Sequence, residues 1–261
     1  MEKKLKIATA AMLLGFGAHA NVIDWPVHAE YQPLYSGANP YSDIGEDIGN
    51  NGHDHLDIVG DSTYAAGYLL HREAPGTPSD TEDQLFIRIR LNDFKNNMPG
   101  AYQVYFETDG NNSVDWVMQF ETTDLDSNGT LTFSEASGTN RSSVIFGPTV
   151  WTGGNTDTRW TGQPTSDSSN FDNDPDYFLD MAMSWDAFST HTGIISTNDA
   201  FRILIASSQN ENTLDGDMAN SSVENVNFEV VYSDTIPEAM SITLILSIGA
   251  SMLAARRIFG E

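Results

Sequence analysis

The chain reads as an all-β protein, a β-sandwich of jelly-roll type, and three observations carry that reading. Short runs alternate apolar and polar residues with period two, the signature of strands that turn one face to a core. Between them stand turn signals such as Asp109-Gly110-Asn111-Asn112, Asn128-Gly129, Gly153-Gly154 and Asp215-Gly216. Two terminal segments of different character leave about 216 residues for the body, enough for one sizeable β domain.

Taken in order, residues 21–55 are rich in Tyr, Pro, Gly, Asn and Asp and predict an irregular lead-in rather than a helix. From Gln84 to Leu91, the side chains of Leu85, Ile87, Ile89 and Leu91 share one face while Phe86, Arg88 and Arg90 take the other. Tyr102, Val104 and Phe106 repeat the pattern, and Val114, Trp116, Met118 and Phe120 repeat it again with Asp115, Gln119 and Glu121 outward. Further strands are expected at Tyr177 to Met183, Phe201 to Ala206 and Asn225 to Tyr232, with a single helical turn at 185–190. Residues 153–176 form a long polar loop of the kind that carries sites. No internal repeat is visible.

The ends predict export. Residues 1–20 start with Lys3, Lys4 and Lys6, continue through an apolar stretch from Ile7 to Phe16 and finish on Ala18-His19-Ala20. That order is a secretory signal with a small-residue cleavage site, and it is set apart from the fold. At the other end, Ile236-Pro237-Glu238-Ala239 precedes an apolar run at 240–255 and then Arg256-Arg257. The run is about the length of a short transmembrane helix, and its basic flank belongs on the cytoplasmic side. Residues 236–261 resemble the PEP-CTERM sorting tail of exported proteins in Gram-negative, exopolysaccharide-producing bacteria, with Ala239 standing where the second proline of that signature falls. The resemblance implies an exosortase as processing partner and a place in the cell envelope or the extracellular matrix, with the sandwich domain at 21–235. A plain C-terminal anchor is the alternative, and it too leaves the body outside the cytoplasm.

Composition narrows the partners. The 261 residues carry 12 Lys and Arg against 37 Asp and Glu, a formal charge of −25. Such a field repels nucleic acid and strains a compact fold unless cations neutralise part of it. There is no cysteine, so neither disulfides nor thiolate metal chemistry is available.

One motif names an ion. Residues 124–135 read DLDSNGTLTFSE and place Asp124, Asp126, Asn128, Gly129, Thr130 and Glu135 at the ligand and glycine positions of an EF-hand loop. Ca2+ wants six to eight oxygens, and alternate carboxylates, one carbonyl and a late bidentate Glu supply them. The expected ligands are Asp124, Asp126, Asn128, the carbonyl of Thr130, and Glu135. Because Val114 to Glu121 alternates as a strand, the loop is expected at a hairpin, with Leu131 and Phe133 starting the return strand. An acidic turn without an ion is the plainer alternative, since Asp, Asn and Gly favour turns on their own.

Weaker constellations follow. Asp172, Asp174 and Asp176, with Asp180 beyond, alternate carboxylates but lack the glycine and the distal Glu, which favours a solvated loop. The run from Asp109 to Asp115 ranks below them. His53-Asp54-His55-Leu56-Asp57 resembles the paired-His signature of binuclear metallohydrolases, but Ile58 stands where the next His would be, and an exposed polar loop is the simpler account. The five tryptophans, Trp25, Trp116, Trp151, Trp160 and Trp185, are enough for a sugar-stacking platform, although burial is a tryptophan's ordinary fate.

Two functions are therefore expected from different classes. The first is a non-enzymatic, calcium-binding, envelope- or matrix-associated protein that contacts extracellular polysaccharide. The second is a glycan hydrolase working with two carboxylates and stabilised by calcium.

Overall fold

The computed structural model describes residues 23–219, apart from 37–38, 44–53, 74–82, 94–99, 112, 123–128, 140–143, 163, 165–166, 168, 170, 172–174, 198, 200 and 210–215. The signal segment, the sorting tail with its helix at 240–255, and the strand expected at Asn225 to Tyr232 lie outside the described residues. Among the described residues, no helix is long and apolar enough to cross a membrane.

In chain order the strands are β1 (Gln32–Pro33), β2 (Tyr35–Ser36), β3 (Asn39–Pro40), β4 (Gly67–Arg72), β5 (Gln84–Leu91) and β6 (Gly100–Glu107). They continue with β7 (Val114–Thr122), β8 (Thr130–Gly138), β9 (Ile145–Thr152), β10 (Thr158–Gly162), β11 (Tyr177–Ser184) and β12 (Arg202–Ser208). Two five-stranded antiparallel sheets result, ordered β1-β4-β5-β11-β10 and β12-β6-β7-β8-β9. The expected all-β sandwich is what forms. Its winding differs from a jelly roll, because β6 to β9 run as a meander inside one sheet, where two interlocked Greek keys would send strands between sheets.

The period-two reading of β5 holds. Leu85, Ile87, Ile89 and Leu91 enter the core between the sheets, where they meet Val104, Phe106, Met118, Phe133, Met181 and Ile203. Each such side chain contributes about 1.5–3 kcal/mol by leaving water. One assignment fails at a single residue: Val114 joins the outer-face cluster with Tyr105, Val117 and Leu204, while Trp116 packs on the inner core. The register between β7 and β8 shifts between Val114 and Trp116, and that irregularity turns the start of β7 over.

A short helix closes one end. Ser184 caps α1 (Trp185–Thr192) by accepting from the Ala187 amide, and Gly193 ends it at φ 75. Trp185 and Phe188 are its buried residues, and Phe188 packs edge-on against Phe106, with 5.2 Å between ring centroids. The expected single turn is thus extended by two residues.

At the opposite end of β7, the β7–β8 hairpin returns through Gly129, where a Cβ would lie 2.0 Å from the Phe120 ring. Close packing therefore demands this glycine whether or not an ion is bound.

The other face of β5 and β11 is covered as well. Ile23, Trp25 and Tyr31 from the lead-in lie over Phe86, Tyr68, Phe178 and Ala182. Arg88 and Arg90 share that face and are buried, at 2% and 0% exposure, so their charges have to be met inside the protein.

Candidate metal centre

Two acidic clusters bear on a site, and they differ in how fully arginines match them. The matched set lies under the lead-in. Arg88 grips Asp180 through Nε at 2.6 Å and Nη2 at 2.9 Å, and Arg159 reaches the same carboxylate at 2.6 Å. Arg90 donates to Asp176 at 2.8 Å and to Asp167 and Ser169. Aromatic faces flank the cations: Arg88 lies 4.2 Å from the Tyr31 ring centroid, and Arg90 lies 4.7 Å from that of Phe178.

The titration of this network follows from its neighbours. Burial alone would raise the Asp167 pKa, but hydrogen bonds and attraction from Arg90, with donors from Ser169, hold it below the usual carboxylate range. Burial, aided by Arg88, lowers His28. Asp176 and Asp180 are consequently ion-paired interior groups, not the solvated loop the sequence suggested; Asp172 and Asp174 lie outside the described residues.

The unmatched set stands at the β6–β7 hairpin. Glu107 ends β6, Asp109 sits in the turn and Asp115 is the second residue of β7. One carboxylate oxygen from each lies within 4.8 Å of the other two, which makes a cluster that can hold a metal ion. The turn is tied by its own side chains. Asp109 accepts from the Asn111 amide at 3.0 Å, Asn111 Oδ1 accepts from the Ser113 amide at 2.6 Å, and Asp115 accepts from the Thr108 amide at 2.7 Å. Gly110 supplies the φ of +78 that the bend requires.

Glu107 is the unusual member. Its residue is 3% exposed, its Oε2 lies 3.3 Å from Arg202 Nε, and its Oε1 is buried with no hydrogen-bond partner. An unpartnered buried polar atom costs about 1–3 kcal/mol, and more when it is charged. A cation bound to that oxygen removes the penalty. The donor set is all oxygen, which suits a hard cation and not a thiolate- or imidazole-seeking one.

The EF-hand-like loop fares differently. Asp124, Asp126 and Asn128 lie outside the described residues, whereas Thr130 opens β8 and Glu135 sits within it, registered with Trp116. Five extended steps set Thr130 and Glu135 about 17 Å apart. One ion with bonds of about 2.5 Å cannot take both the Thr130 carbonyl and the Glu135 carboxylate, so Glu135 leaves the expected ligand set. An EF-hand brings its twelfth residue back on a helix, and a return strand carries it away.

The remaining candidates are absorbed by structure. His53 lies outside the described residues. His55 and Asp57 are buried, not exposed; the Tyr102 hydroxyl donates to the His55 carbonyl at 3.0 Å and Asn92 donates to Asp57 at 3.0 Å. Among the described residues the other imidazoles lie elsewhere: His28 is in the arginine network, His71 packs on Trp185 and His191 on Trp116. Trp185 is buried, Trp116 stacks on Phe133 at 5.4 Å, Trp160 meets Tyr102 edge-on, and Trp151 packs on the same core. Trp25 lies edge-on to Phe86 beneath Arg159.

By sequence the 109–115 run ranks below the other acidic runs. The third carboxylate, Glu107, precedes it. A Glu closing one strand, followed by oxygen-bearing side chains at 109, 111, 113 and 115, was the available signal.

Fold and cluster together define a class: a two-sheet β-sandwich with an acidic hairpin able to hold a metal ion. Compared with protein-family models, with curated proteins and with solved structures, the chain has no match.

Proposed function

We propose that this chain is an exported calcium-binding β-sandwich of the Gram-negative envelope or extracellular matrix, acting by binding and not by catalysis. The observation that carries the calcium reading is the buried Glu107 Oε1, without a hydrogen-bond partner, in a cluster with Asp109 and Asp115. Calcium accepts irregular, oxygen-rich surroundings and fills its remaining positions with carbonyls and water, whereas Mg2+ demands near-ideal octahedral geometry. A divalent ion also relieves a chain whose formal charge is −25. Affinities of roughly 10^-4 to 10^-3 M are ordinary for extracellular modules, where the ion is abundant.

Asp124, Asp126, Asn128 and Thr130 are a second calcium point in this reading, at the opposite end of β7 and without Glu135. The place in the matrix, the exosortase and the contact with polysaccharide rest on the sorting-tail resemblance of residues 236–261. The hydrolase alternative gains little support from the described acids, because Asp167, Asp176 and Asp180 are each held by an arginine, an environment that fixes them as ion-pair partners.

Thermal unfolding of the full chain in calcium and in chelator tests the calcium reading. Calcium should raise Tm in the parent and raise it less in Glu107→Gln, which keeps only the second point; equal responses in the two would refute the assignment. A polysaccharide array paired with turnover assays tests the rest, and calcium-dependent cleavage would transfer the protein to the hydrolase class.

A further inference from the structure

We infer that Arg202 is the built-in counter-cation of this centre and sets how tightly it takes up a divalent ion, an inference that rests on the calcium reading above. Arg202 lies directly across from Glu107 in the β6–β12 register, with Nε 3.3 Å from Oε2. It therefore holds one oxygen of the carboxylate whose other oxygen has no hydrogen-bond partner. The two side chains differ in exposure: that of Arg202 is 40% exposed, that of Glu107 only 4%. The anion is buried, while the cation stands at the edge of solvent.

Charge gives the device its logic. Three carboxylates and one guanidinium leave two negative charges, the complement of a single divalent ion. Without metal, Arg202 covers part of the repulsion among the three acids, so the hairpin keeps its shape. With metal, the guanidinium repels the newcomer across the Glu107 carboxylate. At about 6 Å in water, Coulomb's law makes that repulsion roughly a tenfold loss of affinity. Arg202 thus holds the site in the weak range suited to a calcium-rich exterior, and it disfavours occupancy at low calcium.

Isothermal titration of Ca2+ into the full chain in mild detergent tests this with three variants. Glu107→Gln defines the site as the binding step that disappears. In Arg202→Gln that same step should tighten roughly tenfold, whereas Arg202→Lys, which keeps the charge, should stay within about threefold of the parent. If Glu107→Gln abolishes the step but Arg202→Gln leaves it unchanged or weaker, the counter-cation role is overturned and the metal centre stands. If Arg202→Lys tightens as much as Arg202→Gln, charge is not the cause and the role again fails. If Glu107→Gln binds like the parent, the centre itself is wrong and this inference falls with it.

Discussion

Two groups of three carboxylates meet opposite fates in this fold. Asp167, Asp176 and Asp180 lie under the lead-in against Arg88, Arg90 and Arg159, so charge is met by charge and the cluster is closed. Glu107, Asp109 and Asp115 converge at the β6–β7 hairpin with Arg202 as their one ion-pair partner among the described residues, and one buried oxygen is left without a hydrogen-bond partner. The lesson is that acidic clustering says little until the cations around it are counted. A balanced cluster is architecture, and an unbalanced one is a place for an ion.

The difference predicts where calcium matters. Arg90→Met should cause the largest loss: it strands the Asp167 and Asp176 carboxylates in the interior, and breaking such pairs costs about 3–5 kcal/mol. Denaturant unfolding should register that loss, and added calcium should not recover it. A calcium-rescued Arg90→Met would erase the distinction between the two clusters.

Next in size, Glu107→Gln should abolish a calcium-dependent increment of about 2.7 kcal/mol at a hundred times the dissociation constant. In chelator the same variant should lie close to the parent, because a buried charge has been removed along with its benefit. The comparison of the two media is read from unfolding midpoints.

A smaller effect is expected with pH. The folded His28 is held below the ordinary imidazole range by burial and Arg88, so the unfolded chain binds a proton that the folded chain refuses. Stability is complete above about pH 6.5 and falls as the pH drops below it. Asp167, held below 3.8, removes more stability under that value, again on acidification. Denaturant midpoints measured in chelator should therefore decline from neutral pH to about pH 5, and His28→Gln should flatten that decline. A parent profile that rises on acidification in this window would contradict the sign.

Smallest of all is Glu135→Ala. The residue is exposed in the middle of β8, and its removal should stay within about 0.5 kcal/mol and leave the calcium response intact. Loss of that response in the variant would return Glu135 to the ligand set.

Much of the fold was legible because it rests on local alternation. β5, β6, β11 and β12 lie where period two placed them, and β7 and β8 pair antiparallel, as expected of a hairpin there. Val114 was misassigned because a register shift changes faces without any mark in the pattern. The site was less legible, for a physical reason: the EF-hand pattern is read along the chain, but ligands must meet in space. The same spacing that returns the twelfth residue to the ion when a helix follows carries Glu135 along the strand when β8 follows. The arginine pairing of Asp176 and Asp180 depends on strands that are far apart in sequence, so no local signal announced it.

The most direct test is anomalous diffraction from crystals grown in millimolar calcium. The account predicts a peak bonded at about 2.3–2.6 Å to oxygens of Glu107, Asp109 and Asp115. Water alone between those carboxylates, or a peak confined to the 124–130 loop, would contradict it.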